Sequence, residues 1–320
     1  MLRAMTARSR WLAHLASGSL GLTAVAVTLA HTDFSALRRF GGWAAFVIAV
    51  EGLRVCAEAV ATRSLHGDAV RVPLFPMLRA HAAGYALANT LPAGRSVAET
   101  AKAVMLAPWA TGARSAGVAA TNQALVLIST GSLSVAWSLP ARSLGQTTLA
   151  ATAAIHGASI VAVGVALVAV VRSRTIGAWV SRRFPRAAVH VAGVSEGARL
   201  SGLPLALACF TFHRAVQAAQ IFVLLGALSR WDPTRALALA GAAIVGTTAG
   251  IVTPGQVGAV GASLALAAPG LGLGAPQVLA LALVLHAAQF AWASVGFGLW
   301  TFARPAAEGA GDATAHRRSR

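Results

Sequence analysis

The stretch ANTLPAGRSVAETAK, residues 88–102, interrupts a chain that is otherwise mostly Ala, Val and Leu. It brings Asn89, Pro92, Gly94, Arg95, Glu99 and Lys102 together within fifteen residues. Its reading decides the fold, because lipid tolerates neither a broken helix nor a carboxylate cheaply. Either it is a polar loop between membrane spans, or it is a polar site held inside them.

Composition sets the frame. The 320 residues are 57% hydrophobic and 11% charged, with a mean hydropathy of +0.68. A soluble domain carries about 25% charged residues, so this chain lacks the polar surface to cover itself in water. Several windows reach the roughly 20 apolar residues that a bilayer crossing requires. The expected class is all-α, a polytopic membrane bundle of about six to eight spans. The net charge of +17 does not mark a nucleic-acid binder, since the 26 basic residues lie between apolar runs rather than in one patch. The two cysteines, Cys56 and Cys209, lie in apolar segments and offer neither a disulfide framework nor zinc spacing. They are expected to be buried and inert.

Full spans are predicted near 12–30, 42–61, 115–138, 147–171, 203–229 and 277–301, within a membrane region of 12–303. A basic segment, 1–11, precedes it and a polar basic tail, 304–320, follows. The N-terminus resembles a signal peptide but has no clean small-residue cleavage site, so an uncleaved first span is expected. Two apolar stretches, 73–113 and 235–275, are interrupted, the second by TPGQVGAVG (253–261). Each reads as two spans or as a re-entrant hairpin. If both are hairpins and the N-terminus is cytoplasmic, 19 basic residues face the cytoplasm and five face outward, and two (Arg54 and Arg214) lie within spans. That bias fits the positive-inside rule and places both termini in the cytoplasm. The two hairpins then enter from opposite sides, the arrangement of an inverted repeat.

Glu99 and Lys102, three apart, share a helix face. Ser96 is a candidate cap for a helix starting near Val97, whose N–H groups, with Arg95, would suit a phosphate head group. Pro254, Gly255 and Gly258 leave the second break without charge. Its glycines suit either exposed amides or close helix packing. Glu51, Arg54 and Glu58 form one stripe, read as an internal salt bridge, Arg54 with Glu58 above all, or as a substrate contact. His213, Arg214, Gln217 and Gln220 form a second stripe expected to face the interior. His286 and Gln289 form a weaker one, and His81 and His156 are read as structural. No hydrolase elbow, zinc-protease motif, phosphate loop or paired aspartates occur. No enzyme activity, cofactor or metal is therefore expected.

The N-x-x-P-x-G-R-x-x-x-E-x-x-K pattern of Asn89, Pro92, Gly94, Arg95, Glu99 and Lys102 resembles the first signature of the lysylphosphatidylglycerol synthase transmembrane family, flippase-like proteins of bacterial and archaeal membranes. PGQVGAVG, residues 254–261, resembles its second. The chain departs from the family pattern at Ala98, Lys102, Gln256 and Gly261, the last standing where the family has glutamate. The resemblance implies a bacterial plasma-membrane protein with re-entrant helices that translocates or handles a polar lipid, anionic or of polyprenyl or hopanoid type. The alternatives are a membrane enzyme or accessory of polyprenyl, hopanoid or glycolipid metabolism, and a scaffold subunit of an envelope complex. Fused relatives carry a soluble aminoacyl-transfer domain. Only RPAAEGAGDATAHRRSR follows the last span here, so synthesis of aminoacyl lipids is not expected of this chain.

Overall fold

The computed structural model describes residues 23, 26–67, 70, 72–91, 94–183, 200–250, 253 and 256–301. The regular elements among them are all helical. In chain order the α-helices are α1 (Phe34–His66), α2 (Leu74–Thr90), α3 (Gly94–Met105), α4 (Gly112–Ser143), α5 (Thr147–Arg172), α6 (Arg174–Arg183), α7 (Leu203–Leu228), α8 (Pro233–Ala249), α9 (Val257–Ala267) and α10 (Ala275–Thr301).

Four of these, α4, α5, α7 and α10, are long and apolar enough to cross a membrane. They match the expected spans 115–138, 147–171, 203–229 and 277–301 to within a few residues. The expected span 42–61 falls inside α1, a 33-residue helix kinked at Gly41, where φ is 45°. α1, which carries Glu51, Arg54 and Glu58, is not among the four. Most of 12–30 lies outside the described residues.

The interrupted stretches are helix pairs. At 1.5 Å per residue, α2 (17 residues) and α8 (17 residues) each extend about 25 Å, and α3 and α9 under 20 Å. No arm reaches the roughly 30 Å of a hydrocarbon core. Helix α3 begins at Gly94, ahead of the expected start near Val97. The Gly94 N–H closes a turn onto the Leu91 carbonyl at 3.0 Å, so Ser96 lies inside the first turn rather than at the cap. A β-carbon at Gly94 would collide with the Leu87 and Ala88 backbone, which is why glycine stands where α3 folds back on α2. Gln256, just before α9, is the non-glycine residue with positive φ among the described residues, at 57°.

The main apolar core joins α1, α4, α7, α8, α9 and α10 through Phe40, Trp137, Ile221, Leu224, Leu239, Ile244, Leu264 and Leu281. Glycine lets α4 and α5 approach closely: Gly131 and Gly157 each lie against the other's carbonyl, and Gly164 lies against that of Ala124. The outer face of α5 is exposed, with Ile155, Val163 and Val165 all more than half accessible, a surface that suits lipid. Trp292 of α10 donates to the Ile48 carbonyl of α1 at 2.7 Å.

Candidate functional site

The two charged stripes meet. α1 packs on α7 along most of its length, and Glu51, Arg54, His213, Arg214, Gln217 and Gln220 are all buried. Arg54 Nη1 donates to both carboxylate oxygens of Glu51, at 2.7 and 3.0 Å. The Tyr85 hydroxyl of α2 donates to Glu51 Oε1, and Gln220 Nε2 of α7 donates to Oε2 at 2.8 Å. One carboxylate therefore ties three helices together. This corrects the expected pairing of Arg54 with Glu58. Tyr85 and Gln220 fix Glu51 beside Arg54, and a helix-internal rule cannot see partners that arrive from other helices.

Glu58 instead faces His213 and Arg95. His213 Nε2 lies 2.9 Å from Arg54 Nη2 and 3.3 Å from Nε. A guanidinium has no acceptor, so Nε2 must accept and the ring proton resides on Nδ1. That nitrogen is 3.4 Å from Glu58 Oε1. Arg95 Nη2 approaches Glu58 only to 4.0 Å, and Arg95 Nη1 reaches Gln123 Oε1 at 3.5 Å. On α3, Lys102 Nζ donates to Glu99 Oε1 at 2.6 Å.

Apart from Glu51 and Gln220, these side chains line one pocket of about 160 Å³. The α2–α3 break contributes Asn89, Gly94, Arg95, Glu99 and Lys102, and the second break contributes Thr253 and Gln256. The two interrupted stretches, far apart in sequence, thus share a cavity. Arg54, Glu58, His213, Arg214 and Gln217, with the amides of Asn122, Gln123 and Gln289, complete its charged and amide lining. Glu51 and Gln220 act from behind it. Pro92, Pro254 and Gly255 lie outside the described residues. Gly258 is half-buried and does not line the pocket. Gly261 is buried against Leu279 and Thr28, also away from it.

Arg214 is the odd member. It is 6% exposed, yet its hydrogen-bond partners among the described residues are neutral: the Thr130 hydroxyl at 3.0 Å and Gln217 Oε1 at 2.9 Å. No carboxylate among those residues pairs with it. Four cationic side chains (Arg54, Arg95, Lys102, Arg214) face three carboxylates (Glu51, Glu58, Glu99), so the pocket holds a surplus positive charge.

Other expectations need correction. Cys56 is exposed on the outer surface of α1, and Cys209 is only half-buried. His81 is a wall residue of the pocket. Sequence reasoning also missed Tyr85, Gln123 and Thr130. Tyr85 had a signal, being the only tyrosine of the chain and one turn before Asn89, whose amide donates to its carbonyl at 2.9 Å. Among the described residues no group of three His, Cys, Asp or Glu side chains is placed to hold a metal. Comparison with protein-family models, with curated proteins and with solved structures returned no match.

Proposed function

We propose that this chain is a membrane-embedded protein that takes the anionic head group of a lipid into the pocket and passes it between leaflets. The observation that carries the reading is Arg214. A buried guanidinium with only neutral partners among the described residues is costly in a membrane interior, and an incoming phosphate would supply the missing negative charge. Arg95, 37% exposed and loosely held by Glu58, is the second contact. Arginine suits phosphate through its planar fork. Thr130 and Gln217 orient Arg214, and Glu99 holds Lys102 until the head group arrives.

The α2–α3 and α8–α9 pairs act as opposed re-entrant hairpins whose breaks meet at the pocket, two halves of an inverted repeat. Counting their arms as crossings or half-crossings gives the six to eight of the hydropathy reading. The excess of basic residues in one set of loops orients both termini to the cytoplasm of a bacterial plasma membrane. The chain then takes its place among the flippase-like transmembrane proteins its signatures resemble.

The test is reconstitution with fluorescent phospholipids and dithionite quenching of the outer leaflet. Protein-dependent protection of anionic lipid that Arg214→Gln reduces by about tenfold or more, roughly the value of one charge-assisted contact, supports the reading. Movement no faster than in empty vesicles across several head groups overturns it.

A further inference from the structure

The pocket continues beyond its lipid-binding end as a line of buried polar atoms with no hydrogen-bond partner among the described residues. They are both ring nitrogens of His81, Nδ1 of His66, Oδ1 of Asn122 and Oγ of Ser115. Their residues are 3, 1, 4 and 6% exposed. Buried polar atoms nearly always find a partner, and where protein supplies none, ordered water does. Five such atoms from three helices make a hydrophilic lining rather than a packing fault.

Asn122 Nδ2 donates to the Thr62 hydroxyl at 2.7 Å, and Thr62, His81 and Asn122 are wall residues of the pocket beside Glu99 and Lys102. From Thr62 to His66 is one turn of α1, about 6 Å, and from Asn122 to Ser115 is two turns of α4, about 10 Å. There both helices stop: α1 at the Gly67 cap and α4 at the Thr111 cap. Arg114 Nη2 joins them by donating to the His66 carbonyl at 2.6 Å. The polar line therefore runs from the pocket to the end of the bundle where α1 finishes and α4 begins.

We propose that this line is a hydrated passage that delivers protons to the Glu99–Lys102 pair from that one face of the membrane. It is a distinct claim about the same pocket, and it rests on the head-group reading only for its consequence. Neutral His81 accepts a proton at one ring nitrogen and releases the other ring proton toward the Glu99 carboxylate. Tautomer return through water restores the ring. The proton that neutralises Glu99 breaks its 2.6 Å pair with Lys102, so each proton delivered adds one positive charge to the pocket. Acid on that face then strengthens the hold on an anion.

The charged and titratable groups around His81 are Lys102 of α3 and His66 of α1, with Glu99 of α3 and Tyr85 of α2 on the same pocket wall and Arg114 of α4 at the far end. Helix α10 also packs on α2. Its single titratable side chain is His286, whose Nδ1 is 3.0 Å from Gln289 Oε1.

The passage is tested by thiol accessibility. In a background with Cys56→Ser and Cys209→Ala, Asn122→Cys and His81→Cys are exposed to a membrane-impermeant methanethiosulfonate on either side of sealed membranes. Val165→Cys is the control, beside Gly164, which packs against Ala124 at the depth of Asn122, but facing outward. A thiol in lipid stays protonated and unreactive. Both pocket-line positions should be modified on the order of tenfold faster than the control from the face where α1 ends and α4 begins, and clearly more slowly from the other face. A second readout follows the infrared carboxylic-acid band of Glu99, identified by its loss in Glu99→Gln, as that side is acidified. Modification no faster than at Val165→Cys, equal modification from both sides, or a Glu99 band insensitive to that side's pH would overturn the proposal. None of these readouts requires lipid movement. Labelled positions in a protein that moves no lipid would refute the translocation reading and leave the passage standing.

Discussion

Replacing Glu51 by glutamine tests the electrostatic framework on which the pocket is built. Glu51 is 1% exposed and accepts from Arg54, Tyr85 and Gln220. The amide keeps the shape and some of the hydrogen bonds but removes the charge opposite Arg54, itself only 5% exposed. Its remaining contact is neutral His213, because Glu58 does not pair with it. Breaking a buried pair by removing one partner costs about 3–5 kcal/mol. At about 2–4 °C per kcal/mol, the thermal midpoint in detergent should fall by roughly 6–20 °C. The decisive comparison is the double variant Glu51→Gln/Arg54→Met, which removes the stranded charge and leaves a methionine of similar length. It should recover about 2 kcal/mol or more relative to the single change, since apolar replacement of a whole buried pair is often neutral or stabilising. A double variant no more stable than Glu51→Gln would show that Arg54 does not depend on Glu51 for compensation, and the reasoning would fail.

Gly157→Leu should destabilise the protein by about 1–3 kcal/mol, because its side chain would enter the Gly131 backbone and push α5 from α4; thermal unfolding measures this, and an unchanged midpoint would contradict the close packing. Gly94→Val should displace α3 from the Leu87 and Ala88 carbonyls and lower lipid movement at least as much as Arg95→Ala, with the loss read in the dithionite assay. Asp33 caps α1 through the Ser35 and Ala36 amides. The Ser35 hydroxyl, more than the two backbone amides or Arg39, holds its carboxyl below the ordinary 3.8. A depressed carboxyl stabilises above the unfolded value and loses that contribution as pH falls through the folded one. Asp33→Ala should therefore lower the midpoint at neutral pH, with the gap to wild type closing below pH 3.8; a gap that persists in stronger acid would refute the capping account.

What the sequence disclosed were features written along single helices. Glu51, Arg54 and Glu58 at spacings of three and four, and His213 to Gln220 likewise, could be assigned to inward faces because charged side chains in apolar helices turn away from lipid. The break at residues 88–102 was visible because Pro92, Gly94 and the charges interrupt an apolar run. Hidden features were those that depend on how one helix sits against another. Tyr85 and Gln220 choose Glu51 as the partner of Arg54 from separate helices, and no spacing within α1 shows it. His81 looks like any lone histidine until α3 brings Lys102 near it and α4 brings Asn122 to the same pocket. The start of α3 was misplaced because the Gly94 turn is set by its contact with α2 rather than by the local capping preference of Ser96. Cys56 was misread because an apolar segment in a membrane protein can face outward as easily as inward.

The central claim is that the pocket holds a surplus positive charge awaiting an anionic head group. The most direct measurement is calorimetric titration of the purified protein with a short-chain phosphatidylglycerol, against the matching phosphatidylcholine, in wild type and Arg214→Gln. The expected result is saturable one-site binding of the anionic lipid, weaker binding of the zwitterionic one, and a loss of about tenfold or more in affinity on removing the Arg214 charge. Equal affinity for the two head groups, or anionic binding untouched by Arg214→Gln, would contradict it.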